Sequence, residues 1–237
     1  MSLPLRLLAV HAGWVAVDKP AGLAVIPRRE GAAEDCLIAR LSAQLGERLY
    51  VVHRLDAETS GVLLVARNAA AHRDLNLAFE AQQISKTYIA WTLGAADPPA
   101  ARISIPLHPA RKGKMRPALP GEAGAKPAHT EYRTEAVGAW HGQTTARLRL
   151  HPRTGRQHQL RVHLRAIGTP ILRDPLYALT SFKPPWDDLP LKRLALHAAA
   201  IYVPALGDQP AQRVESPWPA DLQALDAALT KRPAGGR

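Results

Sequence analysis

Short apolar or alternating runs, punctuated by Gly, Pro and charged turns, dominate this chain, and helical spacings are fewer. LRLLAV (5–10) and WVAVDK (14–19) read as two strands, with Lys19-Pro20-Ala21-Gly22 as the turn that follows. Cys36 to Leu45 then places Leu37, Ile38, Leu41 and Leu45 on one helical face. Val62 to Ala66 is a β-rich apolar run, and a helix is predicted from Asn68, its N-cap, to Gln83, with Leu75 and Phe79 facing inward. TYIAWTL (87–93) is a further strand that ends at Gly94. HTEYRTEAVG (129–138) and TTARLRLH (144–151) alternate as strands, and Arg156 to Ile167 reads as a helix stopped by Gly168 and Pro170. RLALHAAAIYV (193–203) adds a late strand, and Ala220 to Leu229 a short amphipathic helix.

Strands outnumber helices without strict alternation, so the pattern predicts an α+β fold with a mixed, mainly antiparallel sheet and flanking helices. A chain of 237 residues buries a core without disulfides, and nothing in it forces a second domain. Residues 1–229 are expected to form one domain, and the basic tail from 230 to 237 to be disordered.

Charge sharpens the picture. The formal net charge is +11, and between Ala101 and Arg165 thirteen Lys or Arg face only Glu122, Glu131 and Glu135. Such a balance predicts a polyanionic partner, nucleic acid or an anionic membrane surface. Arg111, Lys112, Lys114 and Arg116 crowd a Pro/Gly-rich stretch without periodicity, which fits a solvated loop or a set of phosphate contacts. Cys36 is the one cysteine, and no Cys/His cluster is spaced for zinc, so a metal-free protein in a reducing compartment is expected. No apolar run approaches the roughly 20 residues of a spanning helix, and Arg6, His11, Asp18 and Lys19 interrupt the start of the chain. The expected setting is the cytoplasm, away from membranes.

Two polar clusters could carry chemistry. The first is His53-Arg54-Leu55-Asp56-Ala57-Glu58-Thr59-Ser60-Gly61, just before a buried strand. By itself it fits equally a surface turn in which Asp56 or Thr59 bonds neighbouring amides. It brushes a kinase catalytic loop, but no Asp-Phe-Gly and no Gly-rich phosphate loop accompany it. The second runs from Arg153 to Arg165, where Arg161 and Arg165 share an i, i+4 face whose mutual repulsion suits a surface presented to phosphates or to a buried carboxylate. His158 and His163 read more simply as side chains bonding backbone than as metal ligands.

Taken together, HRLDAETSGVLLVAR, KTYIAWTLG, GRQHQLRVHLRAIGTPILRDPLY and RLALHA, with VDKPAGL near the start, resemble the RluA family of RNA pseudouridine synthases from Val17 to about Leu222. The resemblance implies a catalytic domain with a central basic RNA-binding cleft, active without metal or cofactor, and a chain that lacks the small N-terminal RNA-binding domain of some relatives. It maps Asp56 as the catalytic aspartate, Tyr88 as the tyrosine near the target base, Arg161 as the arginine pairing with Asp56, and Arg54 as the arginine that helps displace the flipped base. Lys86, Arg111, Lys112, Lys114, Arg116, Arg156 and His158 join Arg54 as expected RNA contacts. Gln157 stands where Thr or Ser is usual, and Arg173 where Gly is usual.

The implied chemistry suits these residue types. Isomerising uridine breaks the bond between sugar and base and rejoins the base through carbon, a task for an ionised carboxylate acting as nucleophile or as base. Desolvation disfavours that ionised form, and an always-charged guanidinium opposes it, hence the expected Arg161 partner. The base must leave its stack at a cost of roughly a few kcal/mol, partly recovered on an aromatic such as Tyr88. The expected enzyme is a monomeric isomerase acting on ribosomal or transfer RNA, closest by length and by KPAHTEYR to the dual ribosomal/transfer-RNA type. The competing readings are a non-catalytic RNA-binding or chaperone protein on the same scaffold, which could dispense with Asp56, and a glycosidase, which needs a second carboxylate and has only Glu58 nearby.

Overall fold

The computed structural model describes residues 3–27, 34–178, 188–207 and 209–230. In chain order the elements begin β1 (Arg6–Val10), β2 (Trp14–Lys19), α1 (Leu37–Leu45), β3 (Tyr50–Val51), β4 (Ser60–Ala66), α2 (Ala69–Glu80) and β5 (Ser85–Leu93). Next come β6 (Ala100–Ile103), β7 (Leu107–Pro109), β8 (Met115–Pro117), β9 (Thr130–Trp140) and β10 (Gln143–Pro152). The chain continues with α3 (Gln159–Ala166), β11 (Leu196–Val203), β12 (Gln212–Glu215) and α4 (Ala220–Thr230). It divides into two compact units, Met1–Lys86 with His197–Pro217, and Thr87–Leu196 with Trp218–Arg237. The expected tail, apart from Thr230 at the end of α4, lies outside the described residues.

In the first unit the strand order is β1-β2-β4-β11, with β3 on β4 and β12 on β11. Every residue of β4 is buried, which explains why it reads as an unbroken apolar run rather than an alternating one. The pairing of β4 with β11 is parallel, Ser60 opposite His197 and Gly61 opposite Ala198, whereas β2 and β4 run antiparallel. This makes the sheet mixed. The Ser60 hydroxyl lies 2.9 Å from His197 Nδ1, and the other ring nitrogen is 3.1 Å from the Ser216 carbonyl, so the buried join is satisfied. Helix α2 starts where expected, with Asn68 accepting from the Ala71 amide. It stops three residues before the predicted Gln83, because Gln82 adopts a left-handed conformation and Gln83 folds its amide back to the Ala78 carbonyl.

In the second unit β5-β10-β9-β6 pair antiparallel. Cross-strand partners share a face: Tyr88, Leu150 and Tyr132 on one side, Ile89, Arg149 and Arg133 on the other. Helix α4 is anchored by Asp226, which accepts from Trp91 Nε1 at 2.8 Å and binds Arg147. Its Leu229 carbonyl lies where a Cβ on Gly138 would stand, so β9 and α4 approach backbone to backbone. The basic stretch read as an aperiodic loop is instead a hairpin of β7 and β8 around the turn Arg111–Gly113. Helix α3 begins at Gln159 and not at Arg156: His158 is left-handed, and the Gln159 side chain takes the Arg156 amide and the Thr154 hydroxyl as donors, holding 154–158 as a turn.

Candidate active site

Asp56 sits in a turn closed by the Thr59 amide bonding the Asp56 carbonyl at 3.1 Å. The next carbonyl, Ala57, accepts from the Gly22 amide and from the Lys19 ammonium, both at 2.8 Å. Lys19 is 0% exposed and also donates to the Pro20 and Leu23 carbonyls at 2.8 and 2.7 Å. A buried ammonium with three carbonyl acceptors is well solvated by the protein, and it ties the 20–24 loop to the Asp56 turn. Behind the turn, Gly61 has φ +116, and a Cβ there would collide with the Ala198 carbonyl. The glycine that ends the Thr-Ser-Gly sequence after Asp56 is thus a steric requirement of the β4–β11 join.

His53, three residues before Asp56, and Lys86 meet at the Phe79 ring. His53 Nε2 accepts from the Leu64 amide at 3.0 Å and its ring lies against Phe79, with the Lys86 ammonium 5.9 Å from the Phe79 centroid. Burial first, and the Lys86 charge second, lower the His53 pKa to about 3; burial also lowers that of Lys86. Between His53 and Asp56, Arg54 is exposed.

Arg161, on α3, is 4% exposed. Its Nε and Nη2 both donate to Asp174, each at 2.8 Å, and the Asp174 carboxylate further accepts the Leu176 and Tyr177 amides. The Tyr177 ring lies against the guanidinium, 5.1 Å from Cζ. This fork fixes the plane of Arg161. Tyr88 is a buried strand residue of β5 opposite Leu150. Arg111 and Lys112 are exposed in the hairpin turn, and Lys114 and Arg116 are half-buried. Arg116 is committed to a two-pronged pair with Glu122, and that guanidinium holds the Glu122 carboxyl down at about 2. Arg156 is exposed and bonds the Pro127 carbonyl. His158 pairs through Nδ1 with the Tyr177 hydroxyl, while His163 lies between Thr130 and the Ile105 carbonyl as a structural side chain.

Residues 13–166 match the RNA pseudouridylate synthase family. The chain belongs to that family. This pseudouridine synthase is 38% identical over 197 residues to the dual-specificity RNA pseudouridine synthase RluA of Salmonella typhi, covering 81% of this chain and 84% of that one. It is 34% identical over 242 residues to the ribosomal large subunit pseudouridine synthase D of Nitrosomonas europaea, covering 98% of this chain and 67% of the relative. Among solved structures, human RNA pseudouridylate synthase domain containing 1 superposes with TM-score 0.78 at 27% identity, over 95% of this chain and 88% of that one.

The family is an enzyme family, and its reaction, uridine to pseudouridine within RNA, is an isomerisation. The catalytic reading therefore stands over a binding protein on the same scaffold. Of the expected site residues of this synthase, Arg54, Asp56 and Lys86 belong to the first unit, and Tyr88, Arg161, the hairpin cations, Arg156 and His158 to the second. Three functional supports escaped the sequence reading: Lys19, His53 and Asp174. Lys19 stood in plain view in VDKPAGL, where its place at the end of an apolar strand signals burial, and Asp174 in RDPLY, where nothing local marks it as the partner of Arg161. Among the described residues, no group of three His, Cys, Asp or Glu side chains could hold a metal ion.

Proposed function

We propose that this pseudouridine synthase isomerises uridines in structured ribosomal or transfer RNA, with Asp56 as the catalytic carboxylate, Arg161 as its charge partner and Tyr88 beside the target base. The observation that carries the reading is the Arg161–Asp174 fork. A guanidinium is costly to bury, and Asp174 with its two amide donors already stabilises one edge of it. A guanidinium fixed in this way is a permanent charge suited to holding a reacting carboxylate ionised. Asp56, in a turn pinned by Lys19 and Gly22, is the carboxylate the family pattern assigns. The ribosomal and transfer RNA targets are supported by the names of the relatives: a dual-specificity RNA enzyme and a large-subunit ribosomal one.

Access to the base requires extrusion from its stack, aided by Arg54, while Lys86, the hairpin cations Arg111, Lys112, Lys114 and Arg116, and Arg156 with His158 hold the backbone. The enzyme acts as a monomer in the cytoplasm; among the described residues no helix is long and apolar enough to cross a membrane. The deciding experiment is tritium release from RNA labelled at the fifth carbon of uracil, because that hydrogen leaves only when the base rejoins through that carbon. Release by the wild type and none by Asp56→Asn, with RNA affinity kept within a few-fold, is expected. Comparable release by both removes Asp56 from the mechanism.

A further inference from the structure

A hairpin of three-residue strands is too small to hold its own position. Besides the backbone pairing of Leu107 with Lys126, one side chain from the turn before α3 and one from the Asp174 turn hold this one. The Tyr177 hydroxyl accepts from the Met115 amide at 2.8 Å, which leaves its own proton for His158 Nδ1, also at 2.8 Å. Gln157 Nε2 donates to the Gly113 carbonyl at 3.1 Å. The two anchored residues, Gly113 and Met115, flank Lys114 and follow the exposed Arg111 and Lys112.

On its other side Tyr177 is part of the Arg161 fork: its amide bonds Asp174 and its ring faces the guanidinium. The ring also packs in a buried cluster with Leu107, Met115, Ala128 and Val162, joining both hairpin strands to α3. One residue thus touches the cation assigned to the reaction and the backbone that carries the cations assigned to RNA.

We infer that Tyr177 and Gln157 are positioning residues that set the distance between the phosphate contacts of the hairpin and Arg161, and so select RNAs whose backbone reaches the hairpin when the uridine is in place. The inference rests on the hairpin being an RNA contact. Gln157 is the adjustable part. A Thr at this position, usual in the family pattern, is too short to reach Gly113, and the 113–115 turn would lose that bond while Leu107 keeps its backbone pairing with Lys126.

The test compares wild type with Tyr177→Phe, Gln157→Thr and the double variant, which keep the buried ring. Hydrogen exchange at the Met115 amide should quicken by roughly fivefold in Tyr177→Phe, the worth of one hydrogen bond. In tritium-release assays the double variant should raise KM for RNA by about tenfold while kcat falls far less. When Arg111, Lys112 and Lys114 are first replaced by Ala, which itself should raise KM and flatten the salt slope, adding the double substitution should change KM no further. If the Ala replacements raise KM but the anchor variants do not, although Met115 exchange quickens, the inference is overturned and the RNA-contact reading survives. If the Ala replacements leave KM and the salt slope untouched, the RNA-contact reading itself falls, and the inference with it.

Discussion

Asp174 grips Arg161 through both carboxylate oxygens, with the acid side chain wholly buried and the guanidinium nearly so. Removing one charge from such a pair leaves the other stranded in the interior. Asp174→Asn is expected to cost ~3 kcal/mol of stability and to lower turnover roughly 10- to 100-fold by loosening Arg161. RNA affinity should stay near wild type. Thermal unfolding and single-turnover tritium release check this, and full turnover in a folded variant would show that Arg161 needs no such buttress.

Lys19, itself buried, supplies three hydrogen bonds to the Pro20, Leu23 and Ala57 carbonyls. Lys19→Met keeps the apolar stem and removes the donors, so the three acceptors lose their charged partner. A destabilisation of roughly 3 kcal/mol or more is expected. Activity should fall with it, since the Ala57 carbonyl adjoins Asp56. Denaturant unfolding with a parallel activity assay measures both, and unchanged stability would mean the loop closes without the ammonium.

Gly61→Ala places a methyl group against the Ala198 backbone from a left-handed position. Neither strand can yield without breaking the parallel pairing, so a loss of at least ~3 kcal/mol is expected. Gly22→Ala, also at positive φ but with open space around its Cβ, should cost less. The contrast between the two midpoints of unfolding is the measurement.

His53 makes stability depend on pH. Its ordinary pKa of 6.5 applies to the unfolded chain, and burial lowers the folded value to about 3. Below pH 6.5 the unfolded state therefore binds a proton that the folded state refuses, so stability is full above about 6.5 and declines as the pH falls towards 3. His53→Gln, which keeps an acceptor for the Leu64 amide, should flatten that decline. Unfolding midpoints between pH 4 and 8 test it, and an identical slope in the variant would assign the acid lability elsewhere.

The strands were readable because their patterns are local. WVAVDK is bounded in the structure where its turn residues place it, and β4, β9 and β10 follow their apolar or alternating runs with small extensions. The hairpin of β7 and β8 was not readable, since Pro109 and Pro117 end its strands and its placement comes from Tyr177 and Gln157, far along the chain. Helix α3 misled by its amphipathic spacing: side-chain bonds from Gln159 override the helix in its first predicted turn. At the site, the family resemblance pointed to Asp56 and Arg161, but Asp174 is visible only once the chain has folded back over thirteen residues. His53 was quoted for its neighbours, and its burial under Leu64 and Phe79 depends on helix and strand meeting.

The parallel pair of β4 and β11 joins Ser60 to His197, 137 residues later. On a ribosome adding ~5–20 residues per second, that interval lasts roughly 7 to 30 seconds. During it the β11 side of β4 waits without its partner while every residue of the segment 87–196 is being made. The unit that bears Asp56 is begun first but resumes only at His197, so a nascent chain holds its whole Arg161 fork before its aspartate-bearing sheet can close.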